Sequence, residues 1–294
     1  MSALLSNHSP SPAYRRRAAL QKKATYFFAS TREKRSEVAK FASELEALGE
    51  TVAIGGFLRD LLLDGNRRFS SDVDFVVKPA SLLEFERKMR SLNAERNRFG
   101  GYAIQLARWK VEVWPLATTW AAVHQHVEVN AIPDLLKVTF FTWDSILYSV
   151  SKKRIIATED YFEKVDQRVL DINLRPNPNP TGNAIRAIRY AHRWGAYVSR
   201  PLADHIACQL RDNDWSDLVR YEYRSFPNPI LRFLDPESMQ SALVSFLRSS
   251  RTVHKLHAYP EQMSMELCMS RRNSAEHVRV QSKYRNHTLI RNTE

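Results

Sequence analysis

Apolar residues recur at spacings of three and four through EKRSEVAKFASELEALG, at Val38, Phe41, Leu45 and Leu48. That period predicts an amphipathic helix closed by Gly49. The pattern then tightens. TVAI reads as a short buried strand running into Gly55-Gly56, FLRDLLL as one or two helical turns, and DGNRRFSS as a polar loop. DVDFVV alternates as a strand does. SLLEFERKMRSL returns to the helical period, with Ser81 as N-cap and Leu82, Phe85, Met89 and Leu92 on one face. GYAIQLARW and KVEVWPL alternate twice in succession and predict a hairpin, and KVTFFTWDSILYSV with KRIIAT continues the strand-rich core.

The pattern breaks at residues 174–183, LRPNPNPTGN, where three prolines and a glycine interrupt any regular element. Beyond it AIRAIRYAHRWGAYV, LADHIACQLR and SMQSALVSFLRS all carry the helical period. The expected layout is a basic, flexible arm at 1–33, an α/β head at 34–173, a linker at 174–183, an all-α unit at 184–250 and a basic segment at 251–294.

Charge narrows the class of partner. The 294 residues carry a formal net charge of +12, which favours a polyanion, nucleic acid before an anionic membrane, over a merely solvated surface. No apolar run approaches the ~20 residues of a membrane span. Cys208 and Cys268 lie far apart and form neither a disulfide framework nor a metal pair, which fits a reducing compartment and a cytoplasmic location. Residues 1–32 contain no acid and several Arg, Lys and Ser. That composition suits an arm touching nucleic acid, with an organellar transit peptide as the alternative.

Candidate chemistry concentrates in residues 53–77. Asp72 and Asp74 are one residue apart on a strand and so project from one side. Two such carboxylates repel unless a cation joins them or one keeps its proton. Mg²⁺ suits oxygen ligands at a phosphate site; a solvated strand end is the bland alternative. Gly55-Gly56 at a strand-to-helix turn admits close approach of a phosphate to the backbone. Arg59 is placed to neutralise a phosphate, and Asp60 to orient that arginine or accept from a sugar hydroxyl. Glu112, between Val111 and Val113, is a third acid on a half-buried strand, where an unpaired charge is costly. His124 and His126 alternate like metal ligands but lack a third, and read as surface. Trp109, Trp114, Trp120 and Trp143 read as core rather than as a base-stacking platform. Arg186, Arg189 and Arg193 form a stripe on one helix, either solvated or turned to phosphates.

Taken in order, GGFLRD, DVDFVV and VEVWPL resemble the head domain of the class II tRNA nucleotidyltransferases. These are the CCA-adding enzymes and bacterial poly(A) polymerases of the DNA polymerase β superfamily. FTWDSI is similar to that family's F-T-x-N-A segment, with Asp144 at the asparagine position, and RAIRYAHRWGA to its neck helix, with Arg186, Arg189, Arg193 and Gly195. The resemblance covers about residues 50–200 and implies a small mixed sheet with helices. It also implies Mg²⁺ on Asp72, Asp74 and Glu112, and a nucleoside triphosphate on Gly55, Gly56, Arg59, Asp60, Asp144, Arg186 and Arg189. Transfer of a nucleotide to an RNA 3′ hydroxyl, with tRNA the expected RNA, follows from it. The family's R-R-D before F-T-x-N-A is Val138, Thr139 and Phe140 here, and its base-reading E-D-x-x-R is replaced around Asn179, Pro180 and Asn183. These departures, and the short remainder for body and tail domains, imply a divergent, truncated relative. A transferase acting on a protein or small molecule, and an RNA-binding relative without catalysis, stay open beside this reading.

Overall fold

A computed structural model describes residues 11–65, 72–97 and 99–256. Ten α-helices and ten strands are placed within them. In the first part these are α1 (Pro12–Phe28), α2 (Glu33–Glu46), β1 (Gly49–Ile54), α3 (Gly56–Leu63), β2 (Val73–Pro79), α4 (Leu82–Ser91), β3 (Glu95–Arg96), β4 (Tyr102–Gln105), β5 (Lys110–Pro115), α5 (Trp120–Val123), β6 (Ile146–Ser149), β7 (Arg154–Ala157) and α6 (Tyr161–Asp166). The second part adds β8 (Val169–Leu170), α7 (Pro180–Trp194), β9 (Tyr197–Ser199), α8 (Arg200–Asp212), α9 (Trp215–Ser225), α10 (Pro236–Arg248) and β10 (Val253–Lys255).

One seven-stranded sheet, ordered β3-β4-β5-β2-β1-β6-β7, carries the head. Its strands pair antiparallel except β2 with β5, which run parallel. Helices α1 and α2 cover one face, and their apolar residues Leu20, Phe27, Val38, Phe41 and Leu45 join one core with Phe57, Phe75 and Tyr148. The other face is closed by a smaller cluster that includes Val52, Val76, Leu116, Ile132, Leu135 and Leu147. The expected strand at residues 51–54, the helix capped by Ser81 and the β4–β5 hairpin all appear. Ser81 accepts from the Glu84 amide at 3.4 Å. On α4, Phe85 and Met89 are buried, while Leu82 at the first turn stays exposed.

Three expectations change. First, residues 12–28 of the expected arm are helix α1, started by Ser11, which accepts from the Tyr14 amide, and by Pro12. Leu20, Ala24 and Phe27 repeat at four and three and are fully buried, each large one contributing on the order of 2 kcal/mol. The basic residues around them hide this period in composition. Arg17 donates to the Ile155 carbonyl at 2.9 Å and Tyr148 to Thr25 Oγ1 at 3.0 Å, fixing α1 across β6 and β7. Second, the unit at 184–250 is not all-α: β9 lies within it and pairs with β8, which precedes the linker, and with β10, which follows residue 250, in a three-stranded sheet. Strands of two or three residues are too short to show alternation. Third, the linker ends early: Asn179 caps α7 by accepting from the Gly182 amide at 3.0 Å, and Pro180 opens the helix. The loop at 66–71, the first ten residues and the basic segment from 257 onward, with Cys268, lie outside the described residues.

Helix α7 joins the two halves. Gly195 ends it with φ +64°, the left-handed turn that glycine adopts without strain. On its face toward α9, Arg189 pairs with the fully buried Glu222, which also accepts from the Ile230 and Leu231 amides. His192 on the same helix is held down to about pKa 4 by burial. Its unfolded value is near 6.5, so the stability it protects is complete above pH 6.5 and is lost as pH falls toward 4. Urea unfolding at pH 7 and pH 5 is expected to differ by about 2 kcal/mol from this group, and H192Q should flatten that difference.

Candidate active site

Strand β1 delivers the chain to Gly55, whose backbone (φ +73°, ψ −126°) is one that only glycine takes readily. The Gly55 amide donates to the Ile146 carbonyl at 3.1 Å, so it is spent within the sheet rather than offered to a phosphate. A Cβ at Gly56 would stand 3.3 Å from Arg59 Nη2. The missing side chain at 56 therefore makes room for the arginine.

Arg59 is 5% exposed and Asp60 1%. Arg59 Nε and Nη2 donate to Asp60 Oδ1 at 2.9 and 2.7 Å, while Nη1 donates to Asp144 Oδ1 and, at 2.8 Å, to the Tyr190 hydroxyl. Its guanidinium also lies 4.4 Å from the Tyr190 ring centroid and 5.2 Å from that of Trp194. The expected phosphate ligand is thus a buried keystone joining α3, the turn at 142–144 and α7. Asp60 accepts the Nε and Nη2 bonds on one oxygen and so sets the direction of the guanidinium. Burial opposes the charge, but Asp144, Tyr190 and Asp60 together hold the guanidinium protonated, its pKa well above the ordinary value.

The three acids meet at the start of the one parallel strand pair. Asp74 and Glu112 are register partners across β2 and β5, and their side chains share a face. Asp72, two residues before Asp74, is exposed beside them. Burial raises the Asp74 carboxyl to about pKa 8, reinforced by Glu112, Asp72 and Asp144 and opposed by Arg186. Burial raises Asp72 as well, against the pull of Lys110. Lys110 Nζ stands 3.1 Å from Glu112 Oε1 and 3.8 Å from Asp72 Oδ2. Asn97 Nδ2 donates to Glu112 Oε2 at 3.3 Å. The amide orientation of Asn97 is settled by its oxygen, which accepts from the Phe99 and Gly101 amides at 2.9 and 3.0 Å.

Among the described residues no three acidic, histidine or cysteine side chains lie together as a ready metal cage. The donor chemistry still fits a hard cation: three carboxylates supply only oxygen, and burial together with the neighbouring acids disfavours the ionised form of Asp74 until a cation joins them. Lys110 supplies positive charge to the other two. K110M is therefore expected to tighten Mn²⁺ binding about tenfold, since it removes a competing cation. Calorimetric titration checks this; unchanged or weaker binding would show that Lys110 supports the site rather than competing for it.

The structure sets Glu112 opposite Asp74, places Asp72 across Lys110 from Glu112, and brings the charges of Asp144 and Arg186 to bear on Asp74. It does not bring Arg189, which turns to Glu222 and to the Pro227 and Asn228 carbonyls, nor Arg193, which pairs with Asp64. Lys110, Asn97 and Tyr190 were missed. Lys110 was findable, being two residues from Glu112 on the same strand face. Asn97 and Tyr190 arrive through tertiary folding alone. His124 and His126 sit exposed after α5 with their rings stacked at 6.2 Å, as expected of surface residues. Trp143 is core, as expected, whereas Trp120 packs on the two histidines.

No protein-family model and no curated protein sequence matches the chain. Solved structures do. A Thermotoga maritima CCA-adding enzyme complexed with tRNA_CCA matches at TM-score 0.51 and 17% identity, over 76% of this chain and 54% of that one. A structure described as tRNA-processing enzyme complex 3 matches at 0.46 and 18%, over 71% and 58%. A tRNA nucleotidyltransferase complexed with a primer tRNA and an incoming ATP analog matches at 0.44 and 19%, over 71% and 59%. The chain spans somewhat over half the length of these proteins. The first of them establishes a likeness of fold, a mixed α/β sheet with helices. Among the described residues no helix is long and apolar enough to cross a membrane.

Proposed function

We propose that the chain is a nucleotidyltransferase that moves a nucleoside monophosphate from a triphosphate to an RNA 3′ hydroxyl, tRNA being the expected acceptor, with release of pyrophosphate. One observation carries the reading: Asp74 and Glu112 face each other in register on β2 and β5, with Asp72 beside them and Arg186 acting on Asp74 from α7. The fold likeness to a CCA-adding enzyme supports it.

In this reading Asp72, Asp74 and Glu112 would hold Mg²⁺, which when bound neutralises the triphosphate and makes a hydroxyl a better nucleophile. Asn97 fixes the Glu112 carboxylate by its donated hydrogen bond. Arg186 brings positive charge to the carboxylate face, where it attracts a phosphate chain. The Arg59 keystone holds Asp144 and α7 at that face, so most of the contribution of these residues is positioning.

The base-reading positions of the related family are spent on structure here. Asn179 caps α7 and donates to the Tyr221 hydroxyl at 2.7 Å, and Asn183 donates to Asn177 Oδ1 at 3.0 Å. Weak discrimination among bases follows. Purified protein with Mg²⁺, each labelled NTP and a tRNA panel, read by end-sequencing, is expected to show label at RNA 3′ ends. Label on protein or a small molecule would move the acceptor. Tight RNA binding without NTP turnover would favour a binding protein, a reading that Lys110 among the carboxylates recommends.

A further inference from the structure

A second concentration of positive charge lies away from the carboxylates. Arg16 from α1, Arg168 after α6 and Arg193 near the end of α7 line a cavity of about 520 Å³ beside Trp194 and Gly195. One carboxylate, Asp166, lines it with them. The volume is that of a small-molecule site. Arg193 lies seven residues beyond Arg186 on α7, so roughly 10 Å along the helix separates this cavity from the arginine acting on Asp74. The Arg59 keystone and its aromatic neighbours, Tyr190 and Trp194, occupy the interval.

Each of the three guanidinium groups is anchored from one side. Arg16 pairs with Asp166, Arg193 pairs with Asp64, and Arg168 Nη1 donates to the Trp194 carbonyl at 3.1 Å. Arg193 also stacks over the Trp194 ring at 4.7 Å. A guanidinium has five N–H donors in a planar fork, so anchoring through one nitrogen fixes its direction and leaves donors over. Bringing three like charges to one cavity is unfavourable until an anion joins them. Two carboxylates offset two of the charges, and Arg168 meets only a backbone carbonyl. Arg168 also sits at φ +57°, a left-handed conformation uncommon for arginine. Gly195, facing it, has no side chain to crowd it; a Cβ there would lie 3.1 Å from Arg168 Nη1.

We infer that this cavity is a phosphate-binding site, separate from the carboxylate site, which takes the phosphate of a nucleotide or of a nucleic-acid strand. Planar, oriented guanidinium groups suit phosphate oxygens in pairs. The site stands whether or not the chain transfers nucleotides, since no carboxylate of the proposed active site contributes to it.

The test is a calorimetric titration of the full chain in EDTA, where the metal-free carboxylates repel anions. The probes are inorganic phosphate, AMP and a 5′-phosphorylated 12-nucleotide RNA. Saturable binding of at least one probe, weakened tenfold or more in R168E and in R16Q, is expected. Binding of AMP and the RNA with equal affinity assigns the site to a single phosphate group. Tighter RNA binding that falls steeply with salt assigns it to a strand. Absence of saturable binding by all three, or binding unchanged in both variants with their unfolding midpoints intact, overturns the inference. If R16Q fails to fold, R168E decides, because Arg168 is exposed and holds no carboxylate. Failure of nucleotide transfer in the tRNA panel leaves the outcome of this titration untouched, so the two readings fall separately.

Discussion

Replacing Asp74 by asparagine is expected to abolish nucleotide transfer, by at least about 10³-fold, while making the metal-free protein more stable. Both effects come from one arrangement. Asp74 is set on β2 opposite Glu112 and two residues from Asp72, and burial with this company raises its carboxyl to about pKa 8. The unfolded chain gives up that proton near pH 4, so the native state is penalised increasingly as pH rises from 4 and fully above 8. Asparagine keeps the shape and removes the penalty, which at pH 8 in EDTA is about 2 kcal/mol after allowance for solvent. Urea unfolding of wild type and D74N at pH 5 and pH 8 should therefore show a gain that grows with pH. Loss of stability in D74N, or transfer that survives it, would remove Asp74 from the centre of the site.

How much of this was legible beforehand depends on the range of each interaction. The periods of α2 and α4, the alternation of β2 and β5 and the glycine turn are local, and the structure keeps them. Asp72 and Asp74 were readable as a pair because strand geometry alone puts them on one side. Glu112 entered as an isolated strand acid; only the parallel register of β2 with β5 sets it opposite Asp74. Helix α1 reads as an arm because its buried Leu20, Ala24 and Phe27 are diluted by arginines and lysines, of which Arg16, Arg17 and Lys23 find their partners only through tertiary contact. The small β8–β9–β10 sheet was missed for the opposite reason, having too few residues to carry a pattern. Arginine roles were least legible. Arg186, Arg189 and Arg193 share one helix, yet their neighbours send them respectively toward Asp74, to Glu222 and to Asp64. A long charged side chain reports its helix face, but its partner is chosen by tertiary contact.

Arg59 shows the same limit at its strongest, and its replacement is expected to cost about 3–5 kcal/mol of stability. As a phosphate ligand it would be exposed, and R59M would raise the KM for NTP in a protein of ordinary stability. In the structure it is buried, donates to Asp60, Asp144 and the Tyr190 hydroxyl, and lies over two aromatic rings. R59M would leave the Asp60 and Asp144 carboxylates in a desolvated setting without their cation. Lysine restores the charge but not the planar fork that reaches both acids, so R59K should recover less than half of the loss. Adding D144N to R59M removes one of the stranded charges, and the double variant should be more stable than R59M alone by about 1 kcal/mol or more. Urea unfolding of the four proteins measures this directly. An R59M variant as stable as wild type, with only its KM for NTP raised, would return Arg59 to the phosphate and leave α7 held to the sheet by other contacts.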